Sequence, residues 1–186
     1  MAKTVSEPTL FTWVVAPTVI YGRHQVREQE VDAVYCAEHG VQIVQRQSGG
    51  GCVYADQGNL MVSYIEPSAS GFQHSAYEHF MQMLAETFRR LGYEAVTTAH
   101  NDILVSDHKV CGTACYTTPT GTVVHACIAY DVNIDAMQAA LTPSADKLAK
   151  HAVQSVRQRV RNLRTIRDLG DIEAFRLALE QQIVND

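Results

Sequence analysis

The 186-residue chain has no apolar run of membrane-spanning length, and its opening Met1-Ala2-Lys3-Thr4-Val5-Ser6 lacks the apolar core of a secretory leader. A cytoplasmic protein with no membrane attachment is the expectation. Its five cysteines (36, 52, 111, 115 and 127) are odd in number and include no C-x-x-C pair, so neither a disulfide framework nor a zinc site is implied. Reduced thiols are the natural state. Basic charge is scarce too: Lys and Arg number 15 against 20 Asp and Glu, a net charge of -5 that argues against a bulk nucleic-acid binder. There are no internal repeats, low-complexity tracts or linkers. With 46% hydrophobic residues the chain is long enough for one well-buried core and one domain.

What the chain does have is three successive glycines, in Arg46-Gln47-Ser48-Gly49-Gly50-Gly51-Cys52-Val53-Tyr54. A β-like run, Val41 to Val44, leads in, and Cys52 to Tyr54 leads out. Such a run costs chain entropy, and what it permits is unusual dihedrals and close approach of main-chain N–H groups to a ligand, often an anion. The plain alternative is a hairpin turn. A P-loop is excluded, because no Gly-Lys-Ser/Thr follows and no helix opens.

Period and punctuation give the remaining elements. Strands are expected at residues 9–15, 18–21, 60–65, 103–105, 110–116 and 122–130, with turns at 56–59, 106–108 and 117–121. A helix is expected from Glu28 to His39, with Val31, Val34 and Tyr35 on its apolar side and Gly40 as its cap, and a clearer one from Ser75 to Leu91, where Phe80, Leu84, Phe88 and Leu91 share a face. Further helices are expected near residues 135–141, after Pro143, and from an N-cap at Asp171 onward, carrying Ile172, Phe175, Leu179 and Ile183. Strands grouped in hairpins with helices between groups indicate an α+β domain with a mostly antiparallel sheet.

Six segments in order resemble the lipoate–protein ligase family of the biotin/lipoate ligase superfamily. They are Thr18 to Gln25, Gln45 to Gly51, Asp56-Gln57-Gly58-Asn59, Asn101-Asp102, Lys109-Val110-Cys111-Gly112-Thr113-Ala114 with His125-Ala126-Cys127, and Ser155 to Val160. The family patterns are Arg-Arg-x-Ser-Gly-Gly-Gly, Asp-x-Gly-Asn, Asn-Asp, Lys-Val-Ser-Gly-Ser-Ala, His-Gly-Thr and Ser-Val-Arg-Ser-Arg-Val. The resemblance implies a mostly antiparallel, class II synthetase-like single domain with flanking helices over residues 1–186. It also implies that the family's usual N-terminal strand and helix and its C-terminal accessory domain are missing here.

By that resemblance Lys109 is the catalytic residue, an ammonium between a carboxylate and the α-phosphate of ATP. Arg46, whose planar donor fork fits phosphate oxygens, and Ser48, Gly49, Gly50, Gly51, Cys52, Val53, Tyr54, Asn101, Gly112 and His125 join Lys109 around the nucleotide and acid, and Asp102 is the candidate Mg²⁺ ligand. The implied reaction activates lipoate, or a similar medium-chain acid, with ATP and transfers it to a lysine of an acidic lipoyl carrier domain. Such carriers are 2-oxoacid dehydrogenase subunits or the glycine cleavage H protein. A basic stretch from Arg157 through Arg159, Arg161 and Arg164 to Arg167 is either a solvated face or the carrier's dock.

Departures from the pattern are Gln45, His100, Cys111, Ala126 and Cys127. The rival readings are an octanoyl or lipoyl transferase working through an acyl-thioester, and a non-catalytic binding homologue. Transferases of the superfamily carry their cysteine in the loop that reads Thr98-Ala99-His100-Asn101-Asp102 here, with no cysteine.

Overall fold

The computed structural model describes residues 5–67, 73–141 and 160–184. Among the described residues nine strands form two sheets. The larger is built from β1 (Thr9–Trp13), β5 (Asn59–Glu66), β9 (Gly121–Ala129), β8 (His108–Thr118), β7 (Asp102–Val105) and β6 (Ala95–Thr97), in that spatial order. Every neighbouring pair in it is antiparallel. The smaller sheet has β2 (Thr18–Tyr21) at its centre, parallel to β3 (Gln42–Gln45) and antiparallel to β4 (Val53–Ala55). The expected α+β class, with its mostly antiparallel sheet, is what the chain adopts.

One face of the larger sheet packs on α3 (Gln73–Arg90) and α5 (Ile172–Val184). Phe80, Leu84 and Phe88 of α3 and Phe175 and Leu179 of α5 are fully buried against Leu60, Val62, Val124 and Ile128. The spacings that predicted both helices thus mark their buried stripes. Asp171 caps α5 as expected, accepting from the Ala174 N–H at 2.9 Å.

The helix expected from Glu28 to His39 is instead two helices, α1 (Arg27–Glu30) and α2 (Ala33–Glu38). Val31 leaves helical geometry to bridge Leu141, the residue after α4 (Ile134–Ala140), and Asp32 then restarts the helix by accepting from the Tyr35 N–H at 2.8 Å. Val34, expected on the buried side, is 68% exposed, while Val31 joins a second core under the small sheet with Val19, Cys36, Tyr54 and Met137. A tertiary strand contact has overridden helical periodicity. Strand β6 was not expected. The helix expected after Pro143 lies outside the described residues, as does most of Ser155 to Val160.

Candidate active site

The second face of the larger sheet is the floor of a cavity of about 780 Å³, and the small sheet with its glycine loop is the roof. Register arranges the floor in ranks across four strands. Phe11, Ser63, His125 and Ala114 form one rank, and Trp13, Met61, Cys127 and Gly112 the next. Ile65, Val123 and Tyr116 form a third. Residues paired across strands share a face, so alternation delivers all of them to the cavity and sends Leu60, Val62, Val124 and Ile128 to the helices. The cavity is apolar at its β1–β5 end and polar at its β7–β8 end, where His100, Asn101, Asp102 and Lys109 gather. With strands about 4.8 Å apart, the ranks span roughly 15 Å.

Lys109 reaches the cavity because strand parity fails just beside it. Along β8, Gly112, Ala114 and Tyr116 face the cavity, and strict alternation would add Val110 rather than Lys109. The register shifts instead: Ile103 pairs with Cys111 and Leu104 with Lys109, leaving Val110 as an extra residue, a β-bulge. Val110 goes into the helix-side core, and Lys109 turns to the cavity. The preceding two-residue turn has Ser106 (φ 50) and Asp107 (φ 61) both left-handed, the arrangement that matches hairpin twist. On its other side, the Lys109 carbonyl accepts from the Arg161 N–H at 3.0 Å.

The Lys109 ammonium pairs with Asp102 Oδ1 at 2.5 Å, both side chains being about four-fifths buried (17% and 21% exposed). Among the described residues that carboxylate oxygen accepts no hydrogen bond of regular geometry, so the ammonium's charge is what compensates it. The Nζ atom occupies the space that a side chain at Gly112 would fill, 2.9 Å from the site of a Cβ there.

Arg46 is a brace for the glycine loop. Its Nε donates to Ser48 Oγ (3.0 Å), Nη1 to the Ile20 carbonyl (2.9 Å), and Nη2 to the carbonyls of Gly49 (2.8 Å) and Gly51 (2.6 Å). The expected phosphate fork is therefore turned onto the loop's own carbonyls, while Arg46 still borders the cavity. Gly50 is held at φ +91, which favours glycine. Fully buried Ser48 carries the chain of bonds to the floor, its Oγ lying 2.9 Å from His125 Nε2. Burial, and secondarily Arg46, push the His125 pKa down to about 4, so the ring is neutral and Ser48 can donate to it while accepting from Arg46.

Of the residues expected from sequence, Arg46, Gly51, Cys52, Val53, Asn101, Asp102, Lys109, Gly112 and His125 border this cavity. Ser48, Gly49 and Gly50 lie behind it in the loop. Tyr54 faces the second core, because Val53 beside it faces the cavity and strand neighbours point oppositely. The floor residues Phe11, Trp13, Met61 and Ser63 were missed. Their alternation is present in the sequence, but strands apolar on both faces do not show which face is which. In the basic stretch, Arg164 is bound to Asp131 (2.7 Å) and Asp168 (3.3 Å), and Arg157 and Arg159 lie outside the described residues.

This arrangement is the fold of lipoate–protein ligases. A bipartite archaeal lipoate protein ligase from Thermoplasma acidophilum, described with its E2 lipoyl domain, superposes with a TM-score of 0.84 at 28% identity, over 96% of this chain and 70% of that one. A lipoate-protein ligase A bound with ATP gives 0.81 at 26% identity, over 96% and 72%. The chain belongs to the lipoyl protein ligase A/B catalytic domain family, whose profile it matches over residues 1–184. Lipoate-protein ligase LplJ of Bacillus subtilis is 33% identical over 177 residues, 95% of this chain and 53% of that protein. The chain thus spans about half the length of the curated relatives it matches.

Proposed function

We propose that residues 1–186 form the catalytic domain of an ATP-dependent lipoate–protein ligase. The observation that carries this reading is the joining, in one cavity, of a long apolar floor to a polar end holding Lys109 and facing the glycine loop. A medium-chain acid lies with its chain toward Phe11, Trp13 and Ile65 and its carboxylate toward Lys109. The similarity to lipoate–protein ligases, one of them bound with ATP, supports the two substrates.

In the first step a carboxylate oxygen of the acid attacks the α-phosphorus of ATP, and the bond to pyrophosphate breaks. The Lys109 ammonium neutralises part of the charge that both anions bring and stabilises what concentrates in the transition state. In the second step the neutral ε-amine of a lysine on an acidic lipoyl carrier domain attacks the acyl carbon, the acyl C–O bond to AMP breaks, and AMP and the amine's proton leave. The roof and floor hold the reactants in line and keep water from the mixed anhydride.

Mg²⁺ fits only a limited role. Among the described residues no group of three or more His, Cys, Asp or Glu forms a cage, and Asp102 is already paired with Lys109. Asp102 suits the single protein carboxylate of an ion carried in on the nucleotide, where Mg²⁺ would supply positive charge to the phosphates.

Pyrophosphate release with lipoate, octanoate and biotin in turn tests the reading. Release is expected with the first two and not with biotin, whose ureido group would be left unpaired at the apolar end. No release with any acid would overturn it.

A further inference from the structure

Helix α3 meets Thr113, at the polar end of the cavity, through Met81, whose Sδ lies 3.3 Å from Thr113 Oγ1, and through Tyr77. Its hydroxyl lies 2.8 Å from Thr113 Oγ1 and 3.2 Å from the His100 carbonyl oxygen. Thr113 in turn fastens Asn101: its N–H donates to the Asn101 carbonyl at 2.8 Å and its hydroxyl to the same oxygen at 3.0 Å. Asn101 returns its side-chain amide to the Thr113 carbonyl at 3.0 Å. Each hydroxyl has one proton to give: when Tyr77 donates to Thr113 and Thr113 to Asn101, the shortest contacts are satisfied, and the His100 carbonyl (3.2 Å from Tyr77) and Met81 Sδ (3.3 Å from Thr113 Oγ1) are the competing acceptors. Burial pushes the Tyr77 phenol above its ordinary pKa, so it stays a donor at neutral pH.

The consequence falls on the peptide between Asn101 and Asp102. Its carbonyl end is held by Thr113, and its N–H end donates to Thr98 Oγ1 at 3.2 Å. Two threonine hydroxyls therefore pin the plane from which the Asp102 side chain departs toward Lys109. Tyr77 holds one of those hydroxyls without bordering the cavity itself.

We propose that Tyr77 is a positioning residue for the Asp102–Lys109 pair, acting through Thr113 and Asn101. The inference rests on the ligase reading of the site. A positioning group that never touches substrate alters the geometry of the charged pair in the transition state and leaves the acyl floor alone. It should therefore move kcat and spare the KM for the acid.

The test is steady-state pyrophosphate release by Tyr77→Phe, Thr113→Val, Thr113→Ser and the Tyr77→Phe/Thr113→Val double variant. Tyr77→Phe is expected to lower kcat about tenfold, the upper end for one hydrogen bond, with the acid KM within about twofold. Thr113→Ser recovers the kcat that Thr113→Val loses, and adding Tyr77→Phe to Thr113→Val brings no further loss, because both act on one chain of bonds. Wild-type kcat in Tyr77→Phe, or losses that simply multiply in the double variant, would overturn the proposal. If the unmutated protein releases no pyrophosphate with any acid, the ligase reading fails separately. The positioning claim is then decided by hydrogen exchange at the Asp102 amide, faster in Tyr77→Phe if it holds and unchanged if it does not.

Discussion

The Lys109 ammonium occupies the place where Gly112 has no side chain: a Cβ there would lie 2.9 Å from Nζ and 3.0 Å from Cε. The glycine is the seat of the lysine. Gly112→Ala should displace the ammonium by a fraction of an ångström to an ångström and lower pyrophosphate release by up to about a hundredfold. Thermal unfolding should shift little, since the displaced atoms are the far end of a flexible side chain. Wild-type release by Gly112→Ala would show that the lysine works from another position.

The roof makes a second prediction. At φ +91 Gly50 takes a conformation that costs a β-branched residue about 1–3 kcal/mol, and a Cβ there would also press on Arg46 Nη2 at 3.1 Å. Gly50→Val should therefore lose measurable binding of an acyl-adenylate analogue by calorimetry while keeping the native circular dichroism spectrum. Unchanged affinity would return the loop to being a plain turn.

Acid stability provides a third. His125 is buried and titrates near 4 in the folded protein, against about 6.5 in an unfolded chain. Between those values the unfolded state binds a proton that the folded state refuses, so stability falls as pH drops below about 6.5 and this loss is complete near 4. At 1.36 kcal/mol per unit, the loss between pH 7 and 5 is roughly 2 kcal/mol. Urea unfolding of wild type and His125→Gln should show the gap between them narrowing by about that amount over the same range. Parallel pH profiles would contradict the burial argument.

Much of this was readable in the sequence, and the unread parts have physical causes. The apolar stripes of α3 and α5 and the hairpin strands β5, β8 and β9 follow from period alone, and the glycine loop from its composition. The break between α1 and α2 was not read, because Val31 fits helical spacing and only its bridge to Leu141 removes it. Asp32 was the available signal, a capping residue in the middle of an apparent helix. The bulge at Val110 has no local mark at all: it appears only when β8 is set against β7. Lys109 was singled out by family resemblance, and its aim into the cavity is a tertiary fact. Arg46 was read as a phosphate fork because its type fits one, whereas its bonds to Ile20, Gly49 and Gly51 depend on a loop conformation that no spacing encodes.

The cysteines separate the ligase from a thioester transferase. Burial raises the Cys111 thiol and pushes Cys127 up to about 12, so neither is a ready nucleophile. Replacing Cys36, Cys52, Cys111, Cys115 and Cys127 singly by Ala or Ser should leave measurable acyl transfer to a lipoyl carrier domain in each variant. One replacement that stops transfer, with an acyl-thioester trapped on that residue in the parent protein, would move the chain to the transferase chemistry.

The central claim is that the Lys109 charge stabilises adenylate formation, and Lys109→Met tests it most directly by keeping the volume and removing the charge. Loss of one such preorganised donor costs about 2.7–4 kcal/mol in the transition state. Pyrophosphate release with lipoate and ATP should fall by at least about two orders of magnitude in a variant that remains folded and monodisperse. Lys109→Arg should also be poor, because a planar fork does not replace a compact ammonium seated over Gly112. Wild-type release by folded Lys109→Met would contradict the account.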